Sequence, residues 1–283
     1  MKNSEHDPID IALREDIGPG DITTDSFVPE TLAVSARIIP REKAVIAGAA
    51  TAAEVFRRVD PAIEIQVVRG DGADAAEDDV VMEIHGRARS ILKAERVALN
   101  FLQRLSGIAT LTRQFVNAAG TDRVKILDTR KTTPGLRAFE KAAVVAGGGQ
   151  NHRFGLYDMV LVKDNHIACQ PGMGAFAEIV RKLRAERPDV RIEIEADDLR
   201  QVRTILKTVD VDLILLDNMR PAQLREAVAL GKDKKVKFEA SGGVTLKNIR
   251  VIAATGVDYI SIGALTHSAR AIDLALEISN ASG

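Results

Sequence analysis

Val124-Lys125-Ile126-Leu127 runs directly into Asp128-Thr129-Arg130-Lys131, and Leu213-Ile214-Leu215-Leu216 runs into Asp217-Asn218. Each is a short apolar run that stops on side chains able to do chemistry. Four more segments repeat the pattern. Met159-Val160-Leu161-Val162 precedes Lys163-Asp164-Asn165-His166, and Ile192-Glu193-Ile194 precedes Glu195. Val236-Lys237-Phe238 precedes Glu239-Ala240-Ser241-Gly242-Gly243, and Tyr259-Ile260-Ser261-Ile262 precedes Gly263. Near-continuous apolar runs of this length suit strands covered on both faces, and helix-length segments between them describe a parallel β/α array. In a β/α barrel the loops after the strands converge on one mouth, where reactive groups collect. About six strands instead of eight predict an incomplete barrel, with a doubly wound sheet fitting the same rhythm. The pattern is that of an enzyme.

Working outward, helices are expected at 136–146, 175–187, 199–208, 221–230 and 246–254. Pro221 stands near a helix start, where its missing N–H costs nothing. A last helix is expected at about 269–279, returning to the first part of the chain. That first part has a different texture. A short helix at 7–15 leads into the turn Gly18-Pro19-Gly20-Asp21, followed by strands at 34–40, 43–47, 63–68 and 80–88 around a helix at 49–59. This is a small α+β sheet with helices on one face. From Ser90 a long helix places Ile91, Ala94, Ala98, Phe101, Leu102 and Leu105 on one apolar side, and Val97 and Leu99 widen it enough to link two domains. The expected boundaries are 1–110 for the first domain, joined by a C-terminal helix 269–283, and 111–268 for the barrel.

A net charge of −1 over 283 residues provides no global basic field for nucleic acid, and 4% aromatic content with no Trp disfavours base stacking. Cys169 is the single cysteine, so no internal disulfide can form. The opening Met1-Lys2-Asn3-Ser4-Glu5-His6-Asp7-Pro8 has no apolar signal core, and no apolar stretch reaches the roughly 18 residues of a membrane span. A cytoplasmic protein is expected, with no nucleic acid and no membrane among its partners.

Any positive site must therefore be local. Arg130 and Lys131, flanked by hydroxyls and Pro134-Gly135, suit an anion, with a planar two-pronged grip from Arg and a point charge from Lys. Gly147-Gly148-Gly149-Gln150-Asn151-His152-Arg153 lets the backbone approach a ligand and adds two donors. It is neither a Walker loop nor a dinucleotide fingerprint. Lys163 sits at the expected mouth. Asp164-Asn165-His166 has no second histidine at a metal-binding interval, so no protein-built metal site is expected. Glu195 and Asp217, at successive strand ends, can bind sugar hydroxyls, hold Mg²⁺ through a substrate phosphate or stabilise positive charge on a sugar carbon. Glu193 shares a face with Glu195, so either could serve. Ser241-Gly242-Gly243, with Thr245 as an N-cap, offers backbone N–H groups for a phosphate, completed by Gly263-Ala264. Together these residues imply a substrate with several anionic groups and a sugar, and a glycosyl transfer from a phosphorylated sugar.

Read together in this order, the motifs resemble the quinolinate phosphoribosyltransferase family. The resemblance rests on Gly20-Asp21-Ile22-Thr23, Glu95-Arg96-Val97-Ala98-Leu99-Asn100, Leu105-Ser106-Gly107-Ile108-Ala109-Thr110 and residues 128–135. It continues through Asn151-His152-Arg153, Gly155-Leu156-Tyr157-Asp158, Lys163-Asp164-Asn165-His166, Leu216-Asp217-Asn218 and Glu239-Ala240-Ser241-Gly242-Gly243. It implies an N-terminal α/β sandwich domain with an incomplete six-stranded barrel, and a homodimer with shared active sites. The implied reaction is quinolinate plus 5-phosphoribosyl-1-pyrophosphate giving nicotinate mononucleotide, pyrophosphate and CO₂, with Mg²⁺ carried mainly by the phosphoribosyl donor. By the same resemblance Arg130, His152, Arg153 and Lys163 hold the two carboxylates of quinolinate, and Arg96 reaches in from the partner subunit. Lys131 contacts the donor, Glu195 and Asp217 face the ribose, and Ser241, Gly242, Gly243 and Gly263 hold its 5′-phosphate. Two rivals stay open at this point: a related phosphoribosyltransferase for another heterocyclic acid, and a non-catalytic barrel that binds a phosphorylated metabolite.

Overall fold

A computed structural model describes residues 6–169 and 173–279 of the chain. Its strands are β1 (Ala33–Pro40), β2 (Ala44–Val45), β3 (Glu64–Val67), β4 (Asp74–Ala75), β5 (Met82–Arg87), β6 (Lys125–Leu127), β7 (Val160–Val162), β8 (Ile192–Ala196), β9 (Leu213–Asp217), β10 (Lys237–Ser241), β11 (Tyr259–Ser261) and β12 (Leu274–Ser279). They divide between two units. One takes in the described residues of 1–113, 132–148 and 265–283, and the other 114–131 and 149–264. Among the described residues no helix is long and apolar enough to cross a membrane.

The first unit carries an antiparallel sheet in the order β12-β1-β5-β3 and a small pair, β2-β4. The helix Ala49–Val59 buries Ala52, Val55 and Phe56 in its core with Ile38, Met82 and Ile84. The long helix Ala88–Ala119 adds Ile91, Leu99 and Leu102, which are fully or almost fully buried, so the face expected from the sequence is the one that packs. Asp7 caps the helix Pro8–Ile17 and Asp21 caps the helix Ile22–Phe27, an element with no clear periodic signal in the sequence.

One expectation needs correction here. The segment 269–279 is not a helix. Leu274 to Ser279 form β12, which pairs with β1 from Pro40↔Leu274 to Ser35↔Ser279. Leu, Ala and Glu favour helix, but pairing along the β1 edge and the burial of Leu274 override that weak preference. The stretch Thr132–Gly148, which the expected boundary at 111 places with the barrel segment of the sequence, packs with the first unit. Fully buried Glu140 explains its attachment. Its carboxylate accepts from Arg104 Nη2 at 2.8 Å and from the Thr133 backbone N–H and hydroxyl at 3.1 and 2.7 Å. Arg104 also donates to the carbonyl of Ala269 at 2.9 Å, so one ion pair ties three separate segments together.

The second unit is a six-stranded parallel sheet in the order β6-β11-β10-β9-β8-β7. Leu213 to Leu216 are buried on both faces of β9, as a continuous apolar run requires. In β8, Ile192, Ile194 and Ala196 face one way and Glu193 and Glu195 the other. Gln150 extends the sheet beyond β6 through a parallel bridge to Leu127. His152 lies two residues further on, yet its ring is 3.0 Å from Glu193 of β8. In a flat sheet those positions would be five strand spacings apart, roughly 24 Å. The sheet must therefore curl until its edges approach, which makes it an incomplete β/α barrel. The helices Leu199–Thr208 and Pro221–Leu230 occupy the expected positions, with Asp198 capping the former. The helix after β10 is shorter than expected, Ile249–Ala253, and its N-cap is Asn248, not Thr245. The Asn248 side chain accepts the Thr245 N–H at 2.7 Å and donates to the Gly243 carbonyl at 2.9 Å, closing that loop into a turn.

Candidate active site

The carboxyl ends of the parallel strands bring charged side chains to one rim, because every strand in the sheet points the same way. Lys163 directly follows β7, and its Nζ lies 3.1 Å from Glu195 Oε2 on the neighbouring strand β8. The lysine side chain is about half exposed (48%), while that of Glu195 is only 10% exposed. Glu195, Asp197 and Asp217 each offer a carboxylate oxygen, and these atoms all lie within 4.8 Å of one another. The sequence does not single out Asp197. It stands just past β8, where nothing in the pattern separates it from an ordinary solvated loop residue.

Asp217 is held from its own chain. Asn218 Nδ2 donates to Asp217 Oδ2 at 2.6 Å, and the Asn218 backbone N–H bonds the Ser241 carbonyl at 2.9 Å. Asn218 adopts φ 53°, a left-handed conformation that asparagine tolerates better than most residues. Its carboxamide fills the space beside Gly242, where a Cβ would come within 2.1 Å of Asn218 Oδ1. Gly242 and Gly243 have φ 90° and 59°, so the loop after β10 needs two glycines in sequence. A Cβ at Gly243 would point into open space. Gly263 follows the Ile262 N–H bond to Leu127, which extends β11 along β6.

On the other side of the rim, Asp128 is fully buried at the end of β6, with half-buried Arg130 and exposed Lys131 following it. The Asp128 carboxylate accepts the His152 backbone N–H at 2.8 Å, fixing the segment that carries Arg153. Arg153 is buried and donates to the Met159 carbonyl at 3.4 Å. Burial and the nearby positive charge of Arg130 hold its guanidinium below the usual value, so this pocket concentrates positive charge. Burial pushes the Asp158 carboxyl up, but the N–H groups of Phe154 and Gly155 that it accepts hold it low and close the 154–158 loop.

His152 lies deeper than the strand-end residues. Its side chain is only 8% exposed and lies in the layer beneath the rim. Nε2 is 3.0 Å from Glu193 Oε2 and 3.4 Å from Glu239 Oε2, and Nδ1 accepts the Arg153 backbone N–H at 2.8 Å. Both ring nitrogens thus have partners within the protein. Glu193 Oε1 and both oxygens of Glu239 are buried without a hydrogen-bond partner, and Glu239 and His152 border a cavity of about 60 Å³. Burial is the main reason the Glu193 carboxyl rises to about 7, with the neighbouring Glu239 adding to it. Burial pushes the His152 imidazole down and the two carboxylates pull it up, but the Arg153 N–H aimed at Nδ1 leaves no place there for the second proton of an imidazolium. A proton on Nδ1 would set two donors against each other across 2.8 Å, so the proton those carboxylates hold is the one on Nε2.

The site residues expected from the sequence therefore separate. Lys163, Glu195 and Asp217 meet at the rim, where the bond of Asn218 to Ser241 brings in the glycine loop. Arg130 and Arg153 stand close enough to repel one another. Arg96 is exposed on the helix Ala88–Ala119, in the other unit. Between Glu193 and Glu195, the structure places Glu195 at the rim and Glu193 below it. Glu239, expected at a strand end, is in mid-strand because β10 continues to Ser241.

A curled parallel sheet with basic side chains, clustered carboxylates and a tandem-glycine loop at its carboxyl rim defines a β/α-barrel enzyme for an anionic small molecule. The comparisons narrow this class. The family described as quinolinate phosphoribosyl transferase matches through its N-terminal domain over residues 21–106 and its C-terminal domain over 108–277. The chain is 43% identical over 266 residues to a probable nicotinate-nucleotide pyrophosphorylase (carboxylating) of Bacillus subtilis, covering 94% of this chain and 90% of that one. It is 40% identical over 284 residues to a mitochondrial quinolinate phosphoribosyltransferase (decarboxylating) of Nicotiana tabacum, covering 95% and 80%. The crystal structure of nicotinate-nucleotide pyrophosphorylase from Ehrlichia chaffeensis superposes with a TM-score of 0.89 at 41% identity, covering 99% of this chain and all of that one. The chain belongs to the quinolinate phosphoribosyltransferase family.

Proposed function

We infer that the protein transfers the phosphoribosyl group of 5-phosphoribosyl-1-pyrophosphate to the ring nitrogen of quinolinate and decarboxylates the product, yielding nicotinate mononucleotide, pyrophosphate and CO₂. The observation that carries this reading is the rim itself: Lys163 paired with Glu195, with Asp197 and Asp217 beside them, in a chain of this family. Arg130, Arg153 and Lys163 grip the two ring carboxylates, and Lys131 contacts the pyrophosphate-bearing donor. As pyrophosphate leaves, positive charge develops at the anomeric carbon, and Glu195 and Asp217 stabilise it electrostatically. Fixing the pyridine nitrogen against that carbon supplies rate through orientation alone. Once ribosylated, the ring nitrogen is cationic and stabilises the carbanion left at the adjacent carbon when its carboxylate departs as CO₂, and a proton taken up from water at that carbon completes the product. Ser241, Gly242, Gly243 and Gly263 receive the 5′-phosphate, a reading supported by the open left-handed turn at Gly243.

Mg²⁺ fits the donor set, since hard carboxylate oxygens of Glu195, Asp197 and Asp217 cluster at the rim. It would neutralise charge on the departing pyrophosphate. A homodimer with Arg96 crossing to the partner's site is supported by the exposure of Arg96 and by large apolar side chains left uncovered, above all Ile22, Phe27, Leu156 and Tyr157. A cytoplasmic location goes with this reading, supported by an exposed cysteine that has no second cysteine to pair with. The test is one assay of CO₂ and pyrophosphate release from quinolinate and the phosphoribosyl donor. Pyrophosphate without CO₂ would indicate a non-decarboxylating transferase, and release of neither would indicate a binding protein.

A further inference from the structure

His152, Glu193 and Glu239 form a buried group that the transfer chemistry does not use. The two glutamates sit on β8 and β10, separated by β9, and converge on one ring nitrogen. Two carboxyl groups without full hydrogen bonding in a buried layer are costly. Such a cost, retained directly under a catalytic rim, points to a function. A metal centre is the obvious candidate, since the three side chains could each offer a ligand atom. The ring geometry argues against it. Nδ1 accepts the Arg153 N–H, so the ring's proton is on Nε2, and Nε2 has no lone pair to give a cation.

We propose that His152 is a positioning residue for Arg153: Glu193 anchors its Nε2–H, with the Glu239 carboxylate close behind, and its Nδ1 in turn anchors the Arg153 backbone. The interior carboxylates act on the rim through this relay. They fix the imidazole in one tautomer, and that tautomer alone presents an acceptor to the Arg153 N–H. The Asp128 bond to the His152 N–H and the Nδ1 bond to the Arg153 N–H together fix the backbone from which the Arg153 side chain projects. The carboxylate-binding role expected for His152 passes to the arginine it holds. This inference rests on the reading of Arg153 as a ligand of quinolinate.

Two measurements test it. In full-length protein labelled with ¹⁵N-histidine, long-range proton–nitrogen NMR should find His152 protonated at Nε2 and unprotonated at Nδ1, with the signal assigned by its loss in His152→Gln. Saturating quinolinate should leave that tautomer unchanged. A proton on Nδ1, or a tautomer switch on adding quinolinate, would overturn the proposal. Kinetics provide the second test. Glu193→Leu should raise KM for quinolinate about tenfold with little change in kcat, the loss of one oriented hydrogen bond. Glu193→Gln, which keeps an oxygen for the Nε2–H and the shape of the side chain, should restore KM. His152→Gln combined with Glu193→Leu should be no worse than His152→Gln alone, because both break the same relay. Additive effects, or an unchanged KM in Glu193→Leu, would sink it. The tautomer is read without substrate, so an enzyme that ignored quinolinate would fail the functional reading while the NMR result still decided this one.

Discussion

Glu193 and Glu195 stand two residues apart on one strand and face the same side of the sheet, yet they inhabit different chemistry. Glu195 reaches the rim, where Lys163 meets it at 3.1 Å and solvent can enter. Glu193 is fully buried one layer down, with a single polar contact through one oxygen and none through the other. The rim is a place where charge can be exchanged with a ligand. The layer below must keep its carboxyl groups out of water, at a cost. In a β/α barrel the side chains fill stacked layers, so a step of two residues along a strand moves a carboxylate between these environments. Depth, more than residue type, decides what a carboxylate does here.

The largest expected effect belongs to the rim. Glu195→Gln and Asp217→Asn should lower kcat about a hundredfold or more while KM changes little, as for electrostatic groups that act on developing charge. Steady-state kinetics decide it, and an unchanged kcat would reduce these carboxylates to partners of Lys163 and Asn218. Selectivity comes next. Nicotinate has one carboxylate fewer than quinolinate and should bind more weakly by about 1.5–3 kcal/mol, the worth of a charged hydrogen bond. Equal affinities by calorimetry would remove the case for a two-carboxylate grip.

The layer below should show itself in stability. Burial raises Glu193 from the ordinary 4.5 to about 7 in the folded protein. A raised folded value means that the unfolded chain ionises first, so stability is fully present below about pH 4.5 and falls as pH rises toward 7. Denaturant unfolding across that window should lose about 1–3 kcal/mol, and Glu193→Gln should flatten the slope. A wild-type slope that survives the substitution would place the titration elsewhere. The smallest effect is expected at Asn218. Asn218→Ala should cost about 1 kcal/mol of stability through its left-handed backbone and lower kcat a few-fold by freeing Asp217. Asn218→Gly should recover the stability without recovering kcat. Recovery of both would mean that the carboxamide does not position Asp217.

Much of the rim is legible in the sequence because its residues come directly after apolar runs, and parallel strands deliver their last residues to the same side. Lys163, Glu195 and Asp217 need only that rule. The depth of His152 is not legible, because a glycine-rich segment ending in His-Arg looks the same whether the histidine lies at the rim or below it. The bridge between Leu127 and Gln150 sets its depth, and no local pattern encodes that bridge. Glu239 reads as a strand-end residue because Ala240 and Ser241 do not look like strand. Pairing with β9 and β11 makes them so. Asp197 and Asn218 carry no periodic signal at all. Asp197 matters only because β8 and β9 lie side by side, and Asn218 only because its backbone turns left-handed.

The pairing of β1 with β12 has a consequence for how the chain is made. Ser35 and Ser279, which face each other across those strands, are 244 residues apart. Closing a loop of that length costs about 5 kcal/mol of chain entropy before any contact offsets it. On the ribosome β1 appears before the whole parallel sheet and its partner β12 only after it. That sheet can be complete while one edge of β1 still presents unpaired N–H and C=O groups to solvent. Such an edge invites pairing with other chains. Slow or truncated synthesis should therefore favour aggregation through the first sheet, with the catalytic strands already in place.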